Sequence, residues 1–167
     1  MNLPETPVNV AAQHLLAVDL GLHTGLALFG HDGRLKRYSS QHFGNRAHLK
    51  RAVLALLHEM PAPSYLIVEG DRAMGEVWAK AAMRVGAVTR FVSAETWRPS
   101  LLLPREQHSG ADAKSHALLL ARQVIAWSNA KAPTSLNNDA AEAILIGLWG
   151  VLQLGWLSAL PAELRRR

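Results

Sequence analysis

The chain has 167 residues, 49% of them apolar, which excludes a disordered chain and suffices for one domain with a buried core. Lys and Arg number 18 against 13 Asp and Glu, a net charge of +5, and most of the bases are arginine, whose planar fork suits phosphate. The absence of cysteine excludes disulfides, thiolate zinc sites and cysteine nucleophiles, and suits a reducing compartment.

Residues 1–13, MNLPETPVNVAAQ, have neither the basic nor the apolar segment of a signal peptide and are expected to form a flexible tail. Residues 15–19 (LLAVD) read as a buried strand and residues 25–29 (GLALF) as a second. Gly30-His31-Asp32-Gly33 supplies a hairpin turn, and residues 34–41 (RLKRYSSQ) give a more polar third strand. Asn45 opens a helix with Leu49, Val53, Leu56 and Leu57 on one face, ended by Pro61. Residues 65–68 (YLIV) form another buried strand that runs into Glu69. A helix over 73–85 is closed by Gly86, and residues 87–92 (AVTRFV) make a fifth strand. Residues 94–110 carry two prolines and mixed polarity, and read as a long loop. Residues 112–127 are helical in pattern, 129–136 are a loop, and Asn137 or Asn138 can cap a last helix from 139 to about 157. Residues 161–167, PAELRRR, are expected to form a basic C-terminal tail. The order predicts an α/β domain over residues 14–160. Its mixed five-stranded sheet combines a three-strand antiparallel meander with parallel crossovers, flanked by helices.

Residues 143–160, AILIGLWGVLQLGWLSAL, reach the lower edge of a membrane span. Three glycines, the central Gln153 and two carboxylates at the helix start favour a helix buried inside the protein or at a dimer interface, so no membrane is expected. The helix over 73–85 carries Met74, Trp78 and Met83, candidates for the contact surface of a homodimer.

The carboxylates are the informative residues. Asp19 and Glu69 each end an apolar strand, where an unpaired charge is costly. Asp139 and Glu142 lie three apart on a helix, hence on one face, among Ala140, Ala141, Ala143 and Ile144. Any one of these acids alone reads better as a capped or solvated surface group, but four that abut apolar segments are better explained by a shared cation. Parallel neighbouring strands would set Asp19 beside Glu69, and packing of the last helix there would bring in Asp139 and Glu142. An all-oxygen donor set selects Mg²⁺, with Mn²⁺ as its substitute, over zinc. Two such ions per site, roughly 3.5–4 Å apart, are the arrangement that hydrolyses phosphodiesters.

Taken together, LLAVDLGLHTGLALF, YLIVEGD, GADAKSHAL and DAAEAILIGL resemble the RuvC-type Holliday-junction resolvases of the RNase H-like superfamily, over roughly residues 14–150. The resemblance implies an RNase H-like fold. It implies a homodimer that nicks a four-way DNA junction symmetrically with Mg²⁺, in recombination and repair. It further implies a cytoplasmic, nucleoid-associated location and a branch-migration helicase as the class of partner. Asp19, Glu69, Asp139 and Glu142 match the family's metal-binding carboxylates, and Lys114 matches a lysine that acts close to the scissile phosphate. Arg98, in TWRPS, stands where the family carries a basic residue that contacts DNA. Two departures are visible: Glu142 replaces the usual aspartate, and Arg72 replaces an aromatic wedge.

Further candidates come from residue type alone. Trp97 could touch DNA beside Arg98, and Arg84, Arg90, Arg105 and Arg122 could form a phosphate track or a solvated face. His23, His108 and His116 read as loop or surface histidines, or as phosphate contacts. Two other function classes compete. One is an actin-like phosphotransferase, suggested by DLGLHTG; it needs a second phosphate loop, for which this length leaves no room. The other is a non-catalytic module that binds branched DNA or RNA, against which the intact carboxylates argue.

Overall fold

The structure, a computed structural model, describes residues 13–21 and 23–166. Five strands, β1 (His14–Asp19), β2 (Thr24–Gly30), β3 (Leu35–Gln41), β4 (Tyr65–Glu69) and β5 (Val88–Val92), form one sheet in the order β3-β2-β1-β4-β5. The β1–β2 and β2–β3 pairs are antiparallel, and the β1–β4 and β4–β5 pairs are parallel. This is the expected mixed α/β sheet. The helices are α1 (Arg46–Glu59), α2 (Arg72–Arg84), α3 (Ala94–Leu101), α4 (Gly110–Trp127) and α5 (Asn138–Gln153).

The alternation of strand side chains divides the core in two. Leu16, Val18, Leu26, Leu28, Leu66 and Val68 face α1 and α2. Leu15, Ala17, Ala27, Phe29 and Ile67 face α4 and α5. Between their end residues the central strands β1, β2 and β4 carry no polar side chain, because both faces are covered. Asp19 and Glu69 continue the second set, so the same alternation turns them toward α5.

Helix α5 is buried from Ala140 to Val151, which explains its all-round apolar character. Its glycines permit close approach to the sheet. A methyl group at Gly147 would lie 2.3 Å from the Phe29 ring, and one at Gly150 would lie 2.5 Å from Ile67. The glycines that weaken a membrane reading are therefore packing residues. Among the described residues no helix is long and apolar enough to cross a membrane. The helix ends at Gln153, short of the expected residue 157, and Gly155 turns the chain away at φ 71°.

Other expectations need correction. The segment 94–110 is not a long loop. It contains α3 and a 3-10 turn at Pro104–Gln107, and α3 accommodates Pro99 within its eight residues. Asn45 caps α1 by accepting from the His48 N–H, as expected, whereas the Asn137 side chain makes no capping bond to α5. Trp78, a candidate for a dimer surface, is fully buried, while Met83 is 74% exposed. The flexible-tail expectation for residues 1–13 falls, but for residue 13, outside the described residues. Residues 161–166, read as a basic tail, pack on the domain. Leu164 is buried, and Arg166 donates to the buried Glu106 at 2.5 and 3.0 Å, with His116 alongside. A buried carboxylate needs a cation, and the chain's last described arginine supplies it.

Candidate active site

Asp19 and Glu69 are paired positions at the ends of the neighbouring parallel strands β1 and β4. On its other side Asp19 pairs with Gly25 of β2. A methyl group at Gly25 would lie 1.9 Å from the Asp139 carbonyl oxygen, so the first turn of α5 rests on bare backbone there. That contact carries Glu142 over the strand ends. The carboxylates of Asp19, Glu69 and Glu142 each place an oxygen within 4.8 Å of the others.

Asp139 stands beside this triad rather than in it. It lines an open cleft of about 470 Å³ with His23, Lys114, Leu118 and Asn138. Lys114 thus faces the cleft that adjoins the triad, from the second turn of α4. The cap of α4 is Ser109, which accepts from the Asp112 N–H at 3.0 Å and fixes where the helix begins.

Two residues of α3 complete the site, and sequence patterning does not reveal their roles. The Trp97 Nε1–H donates to Glu69 Oε2. The Arg98 Nη2 donates to Glu142 Oε1 at 2.7 Å. Trp97 is wholly buried, which closes it to bases and corrects its reading as a DNA contact. Arg98 directs its charge into the site. Arg72 and Arg105 lie elsewhere. Arg72 is exposed at the start of α2, stacked over Phe91 at 3.7 Å and paired with Glu76 at 3.0 Å. Arg105 is exposed on the 3-10 turn. Of the histidines, His23 is exposed next to His42, and His116 belongs to the Glu106–Arg166 cluster.

The electrostatics show a site short of positive charge. Burial, then the neighbouring Glu142, Glu69 and Asp139, raise the Asp19 carboxyl to about 8, against a weaker opposing pull from Arg98. Burial also raises Glu69, although the Trp97 hydrogen bond partly offsets it. Three converging oxygen donors with unbalanced charge fit a hard divalent cation, Mg²⁺ or Mn²⁺, and offer nothing that favours zinc.

No protein-family model matches the sequence, and no curated protein matches it. Solved structures do. The Thermus thermophilus RuvC (T. thermophilus RuvC in complex with Holliday junction substrate) aligns at TM-score 0.57 and 16% identity, over 86% of this chain and 96% of that one. The yeast mitochondrial Holliday junction resolvase Ydc2 aligns at TM-score 0.59 and 11% identity, over 91% of this chain and 85% of that one. Sheet order, the helices on both faces and these two alignments agree: the chain has the fold of the RuvC-type Holliday-junction resolvases.

Proposed function

We propose that the chain is a metal-dependent, structure-selective DNA endonuclease that resolves four-way junctions by paired symmetric nicks, in recombination and repair. The observation that carries this reading is the Asp19–Glu69–Glu142 triad at the strand ends of a resolvase-type sheet. Asp139 and Lys114, on the adjoining cleft, extend it toward a substrate phosphate.

Asp19, Glu69 and Glu142 would hold the divalent ions, with Asp139 as a further ligand at the rim. Bound ions would supply an activated water and stabilise the leaving oxygen. Lys114 contributes a mobile positive charge to the phosphate. Trp97 orients Glu69 by its N–H. The excess of arginine supplies the sequence-independent grip on the backbone. Paired nicks on a two-fold junction need two equivalent sites, which a symmetric homodimer supplies. The cytoplasm, on nucleoid DNA, is the matching location, and a branch-migration helicase the matching partner class.

The test sets a synthetic four-way junction, a linear duplex and an RNA–DNA hybrid side by side, each in Mg²⁺ and in EDTA. Junction nicking at symmetric positions, present in Mg²⁺ and lost in EDTA, is expected. Preferential cleavage of the hybrid would overturn the junction reading. Tight junction binding without cleavage, in Mg²⁺ as in EDTA, would assign the chain to the non-catalytic class, which the ion pair between Arg98 and Glu142 favours.

A further inference from the structure

Consecutive residues of α3 reach two different carboxylates of the site. Trp97 donates to Glu69, and Arg98 pairs with Glu142 at 2.7 Å. We propose that Arg98 is a resident counter-cation: it offsets part of the triad's negative charge when no metal is bound, and competes with divalent ions for the site. The proposal rests on the reading of the triad as a metal site.

Three carboxylates within 4.8 Å of one another, largely withdrawn from water, repel one another strongly unless a positive charge stands nearby. Arg98 is the base that the fold brings to them, and its side chain is only 23% exposed. Arginine cannot relieve the conflict by losing its proton, so its charge stays whenever its side chain does. Its position is set from behind. Trp97 and Leu101 are buried and anchor α3 to the core, so the guanidinium is not a loose surface group that drifts onto an acid. Its Nε is buried and has no hydrogen-bond partner among the described residues. A guanidinium recruited to satisfy hydrogen bonds would not leave that donor idle; one placed for its charge can.

The consequence is competition. A positive charge beside Glu142 weakens the field that attracts a divalent ion and occupies one lone-pair direction of that carboxylate. A divalent ion that binds through the same oxygen displaces Arg98 from Glu142, and the guanidinium is then free to meet another anion. Arg98 would then act as a positioning residue, trading one anionic partner for another.

The test uses the DNA-free protein, with Mn²⁺ as probe, and compares wild type with Arg98→Gln and Arg98→Lys. Mn²⁺ affinity is measured calorimetrically, and Tm is measured in EDTA and in saturating Mn²⁺. Arg98→Gln should bind Mn²⁺ more tightly, on the order of tenfold, because an opposite charge at this range shifts a carboxylate's proton affinity by at least that factor. Its Tm should fall in EDTA, and Mn²⁺ should raise that Tm by more than it raises the wild type's. Arg98→Lys, which keeps the charge, should track the wild type on both measures. Unchanged or weaker Mn²⁺ binding by Arg98→Gln would overturn the proposal, as would an equal loss of Tm with and without Mn²⁺, the mark of a plain structural brace. If none of the three proteins responds to Mn²⁺, the metal site itself falls, and the counter-cation with it.

Discussion

Gly25 and Asp139 are in backbone contact: a single methyl group on Gly25 would lie 1.9 Å from the Asp139 carbonyl oxygen. The candidate active site depends on this contact, because it sets the height at which α5 crosses the ends of β1 and β2. Gly25→Ala should lift the first turn of α5. We expect stability to fall by about 1–3 kcal/mol, the usual cost of overpacking. Mn²⁺ binding should fall with it, since Glu142 moves away from Asp19. Wild-type metal affinity in a folded Gly25→Ala protein would show that the helix can shift without disturbing the triad.

Asp19→Asn should leave the fold and junction binding intact while slowing cleavage on the order of a thousandfold, the scale expected for one lost ligand of a two-ion site. Nicking near the wild-type rate in Mg²⁺ would remove Asp19 from the site.

The same residue makes the metal-free protein sensitive to pH. The Asp19 carboxyl sits at about 8 in the folded chain, against 3.8 for the ordinary group. Between those values the folded chain holds a proton that the unfolded chain has released, so stability falls as pH rises through the window and levels off above it. In EDTA, Tm should decline from about pH 4 to pH 8, and Asp19→Asn should flatten the decline. A wild-type Tm that rises across this range, with the variant parallel to it, contradicts the crowding of charge at this position.

Trp97→Phe keeps the buried ring and deletes the Nε1–H that holds Glu69. With a charged acceptor left short of a donor, the loss should be about 1–3 kcal/mol in stability. Mn²⁺ affinity should weaken, with nonspecific DNA affinity unchanged. Weakened DNA binding at normal metal affinity would return Trp97 to the DNA-contact role that its burial denies it.

Lys114 lines the open cleft next to Asp139. Lys114→Ala should slow single-turnover cleavage far more than it weakens junction binding, because one phosphate contact among many adds little affinity. The opposite pattern, weaker binding with a salt dependence smaller by about one charge and normal cleavage at saturation, would make Lys114 a positioning contact only.

The strands were legible because β1, β2 and β4 are buried on both faces and read as continuous apolar runs. Asp19 and Glu69 stood out for the same reason, as charges where the runs stop. The pair Asp139 and Glu142 was legible as one helix face, but helical spacing is silent on depth. Glu142 reaches the triad from the buried side of α5, while Asp139 stays at the rim in the first turn. Helix α3 was hidden by its brevity and by Pro99, which normally signals a break. Ser93 ahead of an acidic first turn was the available sign of a helix start. The roles of Trp97 and Arg98 had no local signature at all. Their partners lie on β4 and α5, distant in sequence, and only the packing of three elements brings them together.

The site joins a residue on the first strand of the sheet to one on the last helix. During synthesis the chain emerges from its N-terminal end, and α5 is the last of the five helices to appear. Until it docks, Asp19 and Glu69 stand at the uncovered ends of β1 and β4, without Glu142 or the backbone that Gly25 receives. A product clipped before α5 therefore keeps only two of the three clustered carboxylates. The three-carboxylate cluster therefore forms only after the chain has been made through α5, long after the strands that carry its first two members.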